Sequence, residues 1–267
     1  MQTHFKDLEG KWALVLGASS GFGAAVSTKL AQSGMNICGV HLDRKATMGN
    51  VEQLITEIQS HGVKAMFFNV NAADAEKRKE VLDTFAKESE AGFHILFHSL
   101  AFGTLKPYFS DQGETQSLNA SQMSMTLDVM AHSLVYWAQE LISRGQFNKG
   151  GRVFAMTSAG GERVWKTYGA VSAAKASLES HIRQMALELA TYGISANAIR
   201  AGVTDTPALR KIPGNEQMIE MAKSKNPYGR LTTPEDVAQA VVTLSLPHCH
   251  WISGNVIGVD GGENIVD

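Results

Sequence analysis

Tyr168 and Lys175 stand seven positions apart, separated by Gly169-Ala170-Val171-Ser172-Ala173-Ala174. On a helix, seven steps of about 100° come close to two full turns, so both side chains can face one cleft. A phenol is a poor acid at neutral pH, with an ordinary pKa near ~10, and a nearby ammonium favours its phenolate. The pair would then be a tunable proton donor. For an arbitrary tyrosine and lysine the plainer alternative is a half-buried aromatic and a solvated charge. The surrounding pattern has to decide between them.

Short apolar runs alternate with amphipathic stretches from end to end, which predicts an α/β fold of the Rossmann type. The expected architecture is a doubly wound parallel sheet of about seven strands, with helices on both faces, in a single domain over residues 1–267. Strands are expected at Trp12–Gly17, Met35–His41, Lys64–Val70, His94–His98, Arg152–Thr157, Ile194–Ile199 and Asn255–Val259. Helices are expected at Phe22–Ser33, Met48–His61, Ala75–Glu90, Ser121–Arg144, Tyr168–Tyr192 and Pro234–Leu246. Gly34, Gly62, Gly92 and Gly193 each separate a helix from the next strand, where a helix end wants a residue tolerant of positive φ. Thr204–Arg230 breaks the rhythm, with Pro207, Pro213, Gly214, Pro227 and Gly229 around a Met-rich helical piece. It is either a substrate lid or a passive surface excursion.

The chain has 267 residues, 44% hydrophobic and 19% charged, with a net charge of −2. Nothing in that balance suggests an electrostatic grip on nucleic acid or an anionic membrane. Met1–Gly10 has no apolar core for a leader, and no run reaches membrane-spanning length, so a cytoplasmic protein is expected. Cys38, in a predicted strand, and Cys249, in a loop, form neither a disulfide framework nor a metal quartet. The nine histidines include no ligand pair on one helix face, and no catalytic metal is expected.

The first strand runs into Gly17-Ala18-Ser19-Ser20-Gly21-Phe22-Gly23, and a helix follows. Glycines there allow a sharp turn and close approach to a pyrophosphate, whose charge suits the free amides of a helix N-terminus. Strand before and helix after raise dinucleotide binding above a merely tight turn. Gly17, Ser19, Ser20, Gly21, Phe22 and Gly23 are therefore candidate cofactor ligands.

The Gly-x-x-x-Gly-x-Gly spacing resembles the short-chain dehydrogenase/reductase family, and the resemblance extends along nearly the whole chain. It implies that Asn71 and Ala72 hold the adenine, and that Ser99, Leu100 and Ala101, in His98-Ser99-Leu100-Ala101-Phe102-Gly103, lie beside the cofactor. It also implies that Ala201, Gly202, Thr204 and Thr206 embrace the nicotinamide carboxamide, that Lys175 binds ribose hydroxyls, and that Val259-Asp260-Gly261-Gly262 is the closing strand and its turn. Leu16 departs from the usual threonine before the first glycine. Choice between NADH and NADPH is read at the end of the second strand. There His41 takes the usual acidic position, with Asp43 and then Arg44-Lys45 beyond. The two cations tilt the expectation toward NADPH, unless they are only a solvated helix entrance.

The carbonyl-reducing members place tyrosine and lysine four apart. Here Ser172 lies four past Tyr168, and Gln112, Glu140, Ala196 and Thr232 lie four past the other tyrosines. The seven-residue spacing is instead similar to the enoyl-acyl carrier protein reductases, as are His98–Phe102, Asn197–Gly202, and Met130 where other members carry a catalytic asparagine. The chain is most similar to a smaller group that joins the short glycine loop to the Tyr-x6-Lys spacing. The implied reaction is NAD(P)H-dependent reduction of the 2,3 double bond of a trans-2-enoyl thioester in fatty-acid synthesis. Tyr168, Lys175 and Ser158 would be catalytic, and Phe102, Trp165, Tyr168, Met218 and Met221 candidates to line the acyl channel, with Tyr108 and Met156. An acyl carrier protein is one way the substrate could be presented; the other is coenzyme A. The alternatives are a carbonyl or 3-ketoacyl reductase of the same family, and a non-catalytic dinucleotide sensor. Apolar residues over more than one face of the helices at 121–144 and 168–192, among them Val135, Tyr136 and Trp137, agree with the family's homotetramer.

Overall fold

The computed structural model describes residues 5–111, 113 and 116–266. The first four residues of the stretch read for a leader, and Gln112, lie outside that range. Seven parallel strands form one sheet in the order β3-β2-β1-β4-β5-β6-β7. They are β1 (Trp12–Leu16), β2 (Asn36–His41), β3 (Ala65–Asn69), β4 (Phe93–His98), β5 (Phe147–Ser158), β6 (Ser195–Ala201) and β7 (Val256–Val259). The helices are α1 (Gly21–Gln32), α2 (Met48–Ser60), α3 (Ala75–Glu88), α4 (Ala120–Leu127), α5 (Ser133–Ser143), α6 (Gly169–Glu188), α7 (Asn215–Lys225) and α8 (Pro234–Ser245).

The strands read as continuous apolar runs because both faces are covered. Trp12, Leu14 and Leu16 enter one core with residues of α3, α5 and α6. Ala13 and Val15 enter the other, with α1, α2 and α8. Strand order reverses between β1 and β4, so the crevice of such a sheet opens where Leu16 pairs with His98. Every loop of interest below leaves the carboxyl end of a strand near that crevice.

Four expectations need correction. Gly92 does not take a positive φ, whereas Gly34, Gly62 and Gly193 do. Gly92 is there for room, since a Cβ would lie 2.5 Å from Asn148 Oδ1. β5 begins five residues before the expected Arg152, at Phe147, and a register irregularity against β4 follows before Arg152 pairs with Ile95. The helix expected over Ser121–Arg144 is interrupted by a π-helical turn at Asp128–His132. Trp137 is fully buried, its indole donating to Ala72 O at 2.8 Å, and so faces the sheet and not a partner subunit.

Candidate active site

The three glycines of the first loop do different things. Gly17 makes the turn at φ 86, and a Cβ on it would meet Ser99 O at 2.5 Å. Gly23 packs the first turn of α1 on the loop, where a Cβ would lie 2.0 Å from Gly17 O. Gly21, at φ 53, opens α1, and a Cβ on it would lie 3.5 and 3.7 Å from the Thr206 methyl and Cβ. Ser20, the N-cap of α1, makes no side-chain capping bond, so its hydroxyl leaves the leading amides of α1 untaken. That cradle, with the loop after β6 at its side, fits a pyrophosphate. The segment 99–101 backs it: Ser99 N donates to Leu16 O at 2.8 Å, and Leu100 Cδ2 lies 3.4 Å from the Cβ position of Gly17.

At the end of β2, His41 is buried and its Nδ1 lies 3.0 Å from Asp43 Oδ2. Thr47 Oγ1 donates to Asp43 Oδ1 at 2.8 Å, and the Ser19 hydroxyl bonds the same carboxylate. Burial pushes the Asp43 carboxyl up, but Ser19, Thr47 and His41 together hold it below its ordinary value. Arg44 is exposed beside it. Asn71 is exposed and closes its own turn by accepting Ala73 N at 3.0 Å, while Ala72 is buried and its carbonyl is taken by Trp137.

Tyr168, expected as the first residue of the helix, is instead the N-cap of α6, one position before it starts. Thr167 before it has φ 67, the one left-handed non-glycine among the described residues. For a β-branched residue that conformation costs on the order of 1–3 kcal/mol, the kind of strain that gathers at functional sites. The phenol packs against Gly160, where a Cβ would sit 2.5 Å from Tyr168 Cε1 and 3.2 Å from Ser158 Oγ. Burial raises the Tyr168 pKa, and the hydrogen bond with Ser158 opposes it. The phenol is therefore a neutral donor at physiological pH. The expectation that the Lys175 ammonium would pull it toward phenolate is not met. Lys175 is itself buried and donates to Met156 O at 2.7 Å; burial lowers its pKa to about 8, against the opposing pull of Glu179. Ser172, four past the tyrosine, donates its hydroxyl to Gly160 O.

Of the candidate substrate contacts, Trp165 is tied to the segment before α7 by an indole bond to Pro213 O at 3.2 Å. Met218 and Met221 lie on α7, Met221 exposed, and Phe102 is exposed on the segment after β4. Tyr108 lies over Gly169, whose Cβ would come 2.6 Å from the ring, and so stands one residue from Tyr168.

Sequence reasoning missed several groups. Buried His98 bonds Ser133 Oγ at 2.9 Å through Nε2, and Thr157 donates to buried Glu179 at 2.6 Å. Glu263 accepts the Val203 amide at 3.1 and 3.2 Å. A carboxylate straight after the paired Gly261-Gly262 was the available signal. Among the described residues no group of three metal-ligating side chains comes together, and no helix is long and apolar enough to cross a membrane.

Comparison with known proteins finds relatives along nearly the whole chain. The family profile described as Enoyl-(Acyl carrier protein) reductase matches residues 17–264. An NADPH-dependent aldehyde reductase-like chloroplastic protein of Arabidopsis thaliana is 28% identical, over 96% of this chain and 94% of its own. An enoyl-acyl-carrier-protein reductase (NADH) of Aquifex aeolicus is 27% identical, over 97% and 93%. Its crystal structure superposes with a TM-score of 0.82 at 26% identity, covering 97% of this chain and 98% of that one. A short-chain dehydrogenase/reductase of Serratia marcescens gives the same TM-score at 25% identity, covering 97% and 99%.

Proposed function

The chain belongs to the short-chain dehydrogenase/reductase family of oxidoreductases, and from that premise we propose that it reduces the 2,3 double bond of a trans-2-enoyl thioester. The observation that carries this reading is the place four beyond Tyr168. It holds Ser172, whose hydroxyl is spent on the Gly160 carbonyl, and the buried lysine comes only at seven. In addition, Met130, buried, fills the fourth-helix position where a polar group would serve ketone reduction.

The family binds a nicotinamide dinucleotide. Here Gly17–Gly23 would cradle its pyrophosphate, 201–206 would take the nicotinamide side, and His41, Asp43 and Arg44 would meet the adenosine ribose. Asn71 is left for the adenine. When bound, the dinucleotide supplies a hydride to the substrate Cβ. Negative charge then builds on the thioester oxygen two bonds further on, and the acid must reach that oxygen. Tyr168, a neutral phenol, donates a hydrogen bond to it, an interaction strongest in the transition state, and the enolate then takes its Cα proton from solvent. Ser158 orients the phenol, and Lys175 would hold the ribose hydroxyls. Trp165, Phe102, Met218 and Met221 line the acyl path, and 204–230 acts as its lid. Ser19, Thr47 and His41 already bond the Asp43 carboxylate, so exposed Arg44 is the group we assign to a 2′-phosphate, and NADPH is the proposed cofactor. We propose further that the protein works in the cytoplasm as a homotetramer, on a thioester carried either by an acyl carrier protein or by coenzyme A.

One observation favours reduction of a ketone instead: the Ser158–Tyr168 hydrogen bond is the pairing that polarises a carbonyl directly. Oxidation of NADPH and NADH with a trans-2-enoyl thioester and, separately, its 3-ketoacyl counterpart separates the two. Turnover of the enoyl compound alone is expected. Turnover of the ketone alone would assign the Ser158–Tyr168 pair to carbonyl reduction, and no turnover of either would remove the reductase reading for this substrate class.

A further inference from the structure

The turn that follows β7 meets three segments of the site. Val203 N–H, in the loop after β6, is shared between Glu263 Oε1 at 3.1 Å and Oε2 at 3.2 Å. Next to it, a Cβ on Gly202 would fall 2.7 Å from Glu263 Oε2 and 2.5 Å from Thr232 Oγ1, so the carboxylate and a buried hydroxyl occupy the space over that glycine. From the end of α7, the Asn226 side chain bonds Glu263, and its Nδ2 donates to Asp260 O at 2.9 Å. From the loop before α6, Arg163 Nη2 donates to Asn264 O at 2.6 Å. Residues of the cofactor loop, the lid and the catalytic loop thus meet on one short turn.

We propose that Glu263 is a positioning residue: by accepting the Val203 amide over Gly202, it fixes the loop 201–206 in the shape that receives the nicotinamide end of the dinucleotide, and links that loop to the lid. The inference rests on the reading of 201–206 as the nicotinamide contact. A carboxylate in this place restrains the loop without touching the cofactor, so its removal loosens binding more than it slows chemistry. The link is also proton-sensitive. The charged groups acting on Glu263 are Asp260 from its own turn and Arg163 from the catalytic loop; the lid contributes Asn226 and the β6 loop the Val203 amide. Burial, reinforced by Asp260, moves its proton uptake above the ordinary carboxyl value against the pull of Val203, Asn226 and Arg163. A protonated carboxyl is a poorer acceptor for an amide than a carboxylate, so dinucleotide affinity falls as pH falls through that range.

The test is fluorescence titration of wild type, Glu263→Gln and Glu263→Ala with NADPH and with NADH, from about neutral to about pH 5, together with steady-state kinetics. Glu263→Ala is expected to weaken binding at least tenfold while kcat at saturation stays within about threefold, which is a split of KM from kcat. Glu263→Gln keeps an acceptor, so it is expected to bind with intermediate affinity and to lose the acid-side weakening shown by wild type. Should Glu263→Ala fail to fold, the flattened pH profile of Glu263→Gln carries the test. Wild-type affinity and an unaltered pH profile in the variants would overturn the role of Glu263, whereas absence of binding by wild type would overturn the loop assignment along with it.

Discussion

Gly160 shows how little slack surrounds the proposed donor. Its φ is not positive, so alanine strains nothing in the backbone, yet the new methyl would stand 2.5 Å from the Tyr168 ring. Gly160→Ala should cost about 1–3 kcal/mol of stability by overpacking. It should also lower kcat at least about tenfold by displacing the phenol, as thermal melts and kinetics on the same preparation would show. Tyr168→Phe keeps the ring and removes the donor, and its kcat should fall by roughly 10²–10⁴; an unchanged rate would take Tyr168 out of the mechanism. The pH profile separates the two ionisable partners. With the phenol raised and the Lys175 ammonium lowered to about 8, kcat/KM should fall above that pH as the ammonium is lost, and should not rise toward a phenolate. At the cofactor end, Arg44→Ala should lower the NADPH to NADH efficiency ratio, and an unchanged ratio would remove the phosphate contact.

β4 carries a consequence at the scale of an element. His94 and His98 sit on this central strand with burial as the first cause of their low pKa, about 4 and about 3 against an ordinary 6.5. The unfolded chain therefore binds more protons than the folded one below about 6.5, so stability is complete above that value and is lost as pH falls from it toward the folded values. Urea unfolding at about pH 7 and about pH 5 should differ by on the order of several kcal/mol, and a flat response would mean that the strand's histidines ionise without unfolding. Strands like this one were legible because burial on both faces leaves an uninterrupted apolar run, and Phe93–His98 differs from the expected His94–His98 by one residue. The start of β5 was not legible, since Asn148-Lys149-Gly150-Gly151 carries no apolar signal and is held only by its neighbours. Nor was the π-helical turn. It resets the phase of the helix, so that Leu134, Trp137, Ala138 and Leu141 make the buried stripe of α5, whereas an uninterrupted helix spread apolar residues over more than one face. The glycine loop could be read because its turn is a local pattern of glycines between a strand and a helix. The anchoring groups Glu179, Ser133 and Glu263 could not, because each acts on a partner far away in the chain.

For the whole molecule, the inward turn of Trp137 changes where subunits can meet. On the α5 side, Val135 and Tyr136 are only half-buried, with the Arg78 guanidinium 5.6 Å from the Tyr136 ring, and Leu187 on α6 is exposed. The second surface lies at the end of the sheet. There β7 is an edge strand, and Trp251 before it and Ile265 after it are 90% and 85% exposed. An uncovered edge beside large apolar side chains is a site for pairing with another copy. Two such faces per chain would close the proposed tetramer by two-fold operations. Light scattering at micromolar concentration should give four chains, Trp251→Asp and Leu187→Asp should each halve the mass, and a monomeric wild type would exclude the assembly. If pairing runs through β7, it also packs against the turn that carries Glu263, and dilution to the dimer should weaken dinucleotide binding in parallel with Trp251→Asp. Dissociation through the α6 face, by Leu187→Asp, should leave that binding as it was.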